Sequence, residues 1–129
     1  MSQTNNFQKA ENDPRIFKEV RSFLKALNSA SGNPIEQLSV GEARQVLTDA
    51  QRSVAVDTSG IEEEERFIDL DMERVKIHIT RPINAKQGAP VFIFIHGGGW
   101  VLGDYPTHRR LVRDLVVQSG AVAVFPDYT

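Results

Sequence analysis

The chain has 129 residues, 40% of them hydrophobic and 25% charged, with a formal net charge of -2. These are ordinary values for one globular domain, and the near-neutral balance excludes the electrostatic footprint of a nucleic-acid binder or of a protein drawn to an anionic membrane. The absence of cysteine excludes disulfides, thiolate metal sites and a cysteine nucleophile.

Residues 1–12 are polar and are expected to fray. They contain no apolar run of the signal-peptide kind. The longest apolar stretch, Val91 to Ile95, is far below the roughly 20 residues that a membrane helix needs. A cytoplasmic protein without membrane contact is expected. Asp13-Pro14 predicts a helix start, a capping oxygen followed by proline at the first helical position. Ile16, Phe17, Val20, Phe23, Leu24 and Leu27 repeat at helical spacing, and Gly32 and Pro34 stop the helix. A second helix is predicted from Ser39, where Ser39 and Glu42 fit the reciprocal capping box. Ala43, Val46, Leu47 and Ala50 give it an apolar stripe. The acidic run Glu62 to Glu65 reads as a solvated linker, with an acidic recognition patch as the sharper alternative. The main boundary is placed here, giving helices over residues 1–57 and an α/β core over 58–129.

Phe67 to Leu70 is predicted as a short strand, and Asp71 to Glu73 as a turn. Val75, Ile77 and Ile79 alternate with Lys76, His78 and Thr80, the period of a half-buried strand. That period places His78 on the solvent face. Val91 to Ile95 is apolar at every position, which predicts a parallel strand buried on both faces. A helix from about Thr107 to Ser119 follows, with Leu111, Val112, Leu115 and Val116 as its core face and Gly120 as its stop. His108 opens this helix, with a surface or packing role. Ala121 to Phe125 is a second fully apolar strand. The order is helices first, then β-β-β-α-β with a parallel pair, an α/β architecture. The spacing of His78, His96 and His108 suits no zinc site.

One motif carries chemistry. His96-Gly97-Gly98-Gly99-Trp100 lies between an apolar strand and a helix. Consecutive glycines are costly in backbone entropy, so a tight turn or a close approach of backbone N–H groups to a ligand should explain them. Backbone donors fixed in a dry pocket hold the oxygen that becomes negative when an ester carbonyl is attacked. A nucleotide-binding reading fails. No Gly-Lys-Ser/Thr follows the glycines, and Leu102 stands where the third glycine of a dinucleotide fingerprint belongs.

On this motif the chain resembles the hormone-sensitive-lipase-like esterase and lipase branch of the α/β-hydrolases. The similarity continues through Val101-Leu102-Gly103-Asp104, Thr107-His108, Arg109 to Leu115 and Asp127-Tyr128. More weakly, it includes the Asp13-Pro14 helix and Ala43-Arg44. The resemblance implies the amino-terminal part of an α/β-hydrolase fold, its first four strands and first core helix preceded by cap helices, with sheet order 1-2-4-3-5. It implies that the N–H groups of Gly97, Gly98 and Gly99 line an oxyanion hole and that His96 braces the loop. Trp100 and Tyr128 would then lie beside the substrate. The family's nucleophile is a serine in Gly-x-Ser-x-Gly, followed by an acid and a histidine. No serine of this chain stands in that pattern. The expectation is therefore a chain that supplies the oxyanion-hole loop of a carboxylic-ester hydrolase, needs no cofactor or metal and acts on a small ester. Its expected partner is the missing carboxy-terminal hydrolase segment, or a second copy, at the Val91–Ile95 edge. The alternative is an inactive truncated hydrolase that associates with itself or a partner.

Overall fold

The computed structural model describes residues 10–29 and 32–128; the fraying expected at the amino terminus falls largely outside them. The chain divides into two compact units, Met1–Pro34 and Ile35–Thr129. In the first, helix α1 spans Lys18–Ser29. It begins a turn later than the Asp13-Pro14 signal predicts. The Asp13 carboxylate accepts from the Arg15 backbone N–H at 2.9 Å and also binds the Arg15 guanidinium. The Ile16 N–H donates to the Asp13 carbonyl at 3.1 Å. A local turn thus consumes the capping oxygen before the helix starts. The hydrogen bond from the Arg15 side chain is the main reason that the Asp13 carboxyl lies at about 2.

The second unit holds a short 3-10 turn (Ile35–Gln37), helix α2 (Val40–Arg52), strands β1 (Ile61–Leu70), β2 (Glu73–Pro82) and β3 (Val91–Ile93), helix α3 (Tyr105–Ser119) and strand β4 (Val122–Asp127). The sheet order is β1-β2-β4-β3, the order that the resemblance implies. β1 and β2 form an antiparallel hairpin, β2 and β4 pair antiparallel, and β3 and β4 pair parallel. The Ser39–Glu42 capping box forms as predicted. Helix α3 starts two residues before Thr107 because Asp104 and Thr107 make a second capping box. Pro106 fits the first turn, where its missing N–H leaves no bond unmade. Gly120 closes the helix in the left-handed conformation, with φ 71.

Helix α3 lays Tyr105, Val112 and Val116 against Ala123 and Phe125 of β4, with Ile61, Phe92 and Phe94 packed around them. Val112, Val116, Ala123 and Phe125 are fully buried. A completely buried Val or Phe contributes roughly 1.5–3 kcal/mol relative to the exposed side chain. Leu111 and Leu115, expected on the same face, are exposed. Each precedes a buried valine by one residue, and a step of about 100° turns it off the sheet.

Three further expectations are corrected. The acidic run is not a linker but the first half of β1. Alternation along a strand splits the four glutamates between two faces, and cations on β1 and on other elements compensate Glu63, Glu64 and Glu65. Glu63 meets Arg109, Glu64 meets Arg66 and Arg81, and Glu65 meets Lys76. β2 is not half-buried: Ile77, His78, Ile79 and Thr80 are buried in succession, because β2 is an inner strand flanked by β1 and β4. His78 therefore leaves solvent. β3, conversely, is buried on one face only. It lies at the sheet edge, where Val91, Ile93 and Ile95 are exposed while Phe92 and Phe94 face the core.

A polar layer ties β1 to α3. The Tyr105 hydroxyl donates to Glu63 at 2.6 Å, and the Thr80 hydroxyl lies 2.7 Å from the same phenol oxygen. Because the phenol proton goes to the carboxylate, Thr80 donates to Tyr105. Arg109 donates to Glu63 at 2.7 Å. The Arg109 guanidinium first, and the Tyr105 hydroxyl with it, hold the Glu63 carboxyl below its usual 4.5. Burial, reinforced by the Glu63 bond, raises the Tyr105 phenol. A carboxyl with a depressed folded pKa stabilises the fold above its unfolded pKa, and that stability is lost as pH falls through the folded value. Urea midpoints measured downward from pH 6 should therefore drop below about pH 4.5. Glu63→Gln should start lower at pH 6 and fall less steeply. Parallel curves for the two proteins would show that Glu63 contributes nothing to the acid response.

Candidate active site

The glycine loop leaves the carboxyl end of β3, beside the carboxyl end of its parallel neighbour β4. Crevices at the carboxyl ends of adjacent parallel strands are the usual ligand sites of open α/β sheets. Here the crevice is an open cleft of about 530 Å3 lined by Ile95, His96, Gly97, Gly99, Trp100, Pro126 and Tyr128.

Three successive carbonyls of the loop are held by donors. The Tyr128 hydroxyl donates to the His96 carbonyl. His96 Nδ1 lies 2.7 Å from the Gly97 carbonyl. The amides of Val101 and Leu102 donate to the Gly98 carbonyl at 3.2 and 2.9 Å. A trans peptide directs its N–H opposite to its C=O. With those carbonyls fixed, the N–H groups of Gly97, Gly98 and Gly99 are aimed away from the protein's own donors. None of the three donates to an acceptor among the described residues. The loop thus presents a row of oriented, unused donors, which suits an oxygen carrying negative charge.

Each holder is itself held. The His96 ring is buried, with 4% exposure. It stacks on Phe125 at 5.1 Å and on Tyr128 at 4.5 Å. A carbonyl can only accept, so His96 Nδ1 carries the hydrogen. Its Nε2 is buried without a partner among the described residues. His108 packs 5.1 Å from His96, with its Nδ1 3.0 Å from the Asp104 carbonyl. Arg44 of α2 donates to the Val101 carbonyl at 2.6 Å and anchors the far end of the loop. Trp100 is 82% exposed, with φ 60. It is the one non-glycine residue with positive φ among those described, and such strain gathers where a loop is shaped for a ligand.

The loop therefore brings together His96, Gly97, Gly98, Gly99, Trp100 and Tyr128. Tyr128 uses its hydroxyl on the His96 carbonyl. Sequence reasoning assigned no role to Arg44, whose contact spans 57 positions and leaves no local signal. It also left His78 on the surface. His78 is buried, with Nε2 3.0 Å from the Asp127 carboxylate.

The matching family model, described as the alpha/beta hydrolase fold, covers residues 92–129. A thermostable esterase from Pseudomonas putida superposes with a TM-score of 0.84 at 56% identity, over 91% of this chain and 37% of that one. A Rhizomucor miehei esterase gives a TM-score of 0.78 at 31% identity, over 91% of this chain and 36% of that one. The carboxylesterase NlhH of Mycobacterium tuberculosis is 33% identical over 66 residues, 50% of this chain and 21% of that protein. The chain spans well under half the length of each of these proteins. Over about nine-tenths of its length the chain is similar in sequence and fold to the corresponding part of α/β-hydrolase-fold esterases.

Gly98 and Gly99 differ in what a side chain would meet. At Gly98, with φ 124, a Cβ would lie 1.9 Å from the Leu102 carbonyl oxygen; at Gly99, with φ 63, it would meet nothing within 4 Å. Gly99→Ala should cost about 1–2 kcal/mol, the left-handed backbone term alone. Gly98→Ala should cost clearly more, because the turn onto Leu102 must open. Equal losses in urea unfolding would show that the close approach to Leu102 is not tight.

Proposed function

We propose that the natural protein carrying this chain, as a member of the α/β-hydrolase family, hydrolyses small carboxylic esters through an acyl-serine intermediate. These residues supply its oxyanion hole and part of its substrate cleft. The observation that carries the reading is the row of three N–H groups at Gly97, Gly98 and Gly99, each oriented by a hydrogen bond to the carbonyl behind it.

In this reading a serine oxygen attacks the ester carbon and gives its proton to a histidine. The carbonyl π electrons move to the oxygen, and the glycine amides stabilise that charge. Collapse expels the alcohol, which takes the proton from the histidine. Water then repeats the sequence to release the acid. The serine, the acid and the catalytic histidine come from polypeptide outside this sequence. His96 braces the loop, and its Nδ1 hydrogen is committed to the Gly97 carbonyl. Trp100, Ile95 and Pro126 give the cleft an apolar wall for the acyl or alcohol group. The chemistry asks for no cofactor. β3 ends the sheet of the described residues with its outer backbone edge unpaired, which favours a further strand there, from the same protein or from a second copy, and the exposed face of Val91, Ile93 and Ile95 favours a covering element. No helix among the described residues is long and apolar enough to cross a membrane.

The natural protein should turn over short-chain nitrophenyl esters. Gly98→Pro removes one donor, and a lost oxyanion donor costs roughly 100- to 1,000-fold in kcat. Proline also cannot adopt φ 124, so the loss should be at least that large. Unchanged turnover in a variant whose fold is verified by circular dichroism would overturn the assignment.

A further inference from the structure

We propose that His78 and Asp127 are positioning residues for the glycine loop and act on it through Tyr128. The kinetic part of this proposal rests on the ester-hydrolase reading; the structural coupling does not. The Gly97 amide keeps its orientation only while the Tyr128 hydroxyl holds the His96 carbonyl. Tyr128 lies one residue beyond the last paired position of β4, where Asp127 stands opposite Lys76. Ladder bonds therefore end just before the residue that must be held. A side-chain bond takes over, with His78 Nε2 donating to the Asp127 carboxylate at 3.0 Å.

His78 is suited to this role because its ring is immobilised. It stacks on Tyr105 at 4.2 Å, with 6° between the planes, and meets Phe125 in a T-shaped contact at 6.2 Å. Its Nδ1 faces Glu65 at 3.4 Å. The ring is 6% exposed, and burying it without a partner would be costly. Lys76 is the rival partner, but its Nζ is 3.8 Å from Asp127 and 3.1 Å from Glu65. That lysine prefers Glu65, leaving His78 as the group within hydrogen-bond reach. His78 does not line the cleft beside the glycines. It acts at a distance, through the end of β4. A displacement on the order of 1 Å at a reacting centre costs up to about 100-fold in rate, so a slackened Tyr128 contact should be visible in kcat.

The test uses the natural protein with His78→Phe, which keeps a ring on Tyr105 and removes the N–H. The expected result is a roughly ten- to hundredfold fall in kcat with KM within about twofold. Combined with Tyr128→Phe, the loss should be no greater than for Tyr128→Phe alone, since both changes release one carbonyl. His78→Gln places an amide donor near the position of Nε2 and should restore most of the rate. If His78→Phe does not fold, Asp127→Ala removes the same bond from the other side and should give the same pattern. An unchanged kcat, a loss confined to KM, or a loss that adds fully to that of Tyr128→Phe would overturn the proposal. The amide signal of Gly97 in a 1H–15N spectrum provides a readout independent of turnover. It should move in the same direction in His78→Phe as in Tyr128→Phe. Wild-type protein inactive on esters would overturn the hydrolase reading alone, and a Gly97 signal unmoved in His78→Phe would then overturn the coupling.

Discussion

The structure of this unit depends on three consecutive peptide groups whose carbonyls are held from behind. A glycine loop left to itself samples many backbone states and points its amides in as many directions. Here one phenol, one imidazole and two backbone amides hold the carbonyls of His96, Gly97 and Gly98. The adjoining N–H groups then have a single direction. The donors to a developing charge are backbone atoms, but their orientation is set by one side chain just past β4, one at the start of the loop, and two amides farther along it. This explains why a tyrosine and a histidine are needed beside a motif whose chemistry is all glycine.

Two kinds of packing place those side chains. The apolar contact of Val112 and Val116 with Ala123 and Phe125 is non-directional; it sets how closely α3 lies on the sheet. The polar layer of Thr80, Tyr105, Glu63 and Arg109 is directional, and each bond in it has one geometry. Phe125 joins the two. It is packed under α3, and it also stacks on His96 and meets His78 in a T-shaped contact. A change in the seating of α3 therefore reaches the loop through one ring.

Much of this was legible in the sequence where the signal is local. The capping box at Ser39, the stop at Gly120, the parallel pair and the glycine turn all follow from short patterns. The Asp104–Thr107 box starts α3 two residues before the expected Thr107, although an acid three residues before a threonine is itself a local pattern. What stayed hidden is non-local. A run of glutamates reads as a solvated linker until Arg109, Arg81 and Lys76 arrive from distant positions. The alternation in β2 marks a polar face but does not say whether that face meets water or another polar layer. His78 is buried because Tyr105, Asp127 and Glu65 converge on it. The apolar run at Val91 to Ile95 predicts two covered faces, and among the described residues only the one toward α3 is covered.

That half-covered strand bears on how the loop is kept rigid. β3 is paired on one side only, to β4, by three register positions and the flanking bonds from Val122 N–H to the Pro90 carbonyl and from Phe94 N–H to the Val124 carbonyl. Much of what fixes the exit of β3 thus comes from β4 and the residue just past it, with His108 of α3 packed against His96 and Phe94. His96 stacks on β4 through Phe125, and the His96 carbonyl is held by Tyr128 just past the end of β4. β4 in turn is paired on both sides, to β3 and to β2. Rigidity therefore passes outward from the doubly paired strand to the singly paired one and then to the loop. A strand that served only as a hydrophobic floor would not need a histidine, an aspartate and a tyrosine gathered at its carboxyl end. Their presence there follows from β4 having to hold a loop that its own strand, β3, cannot hold alone.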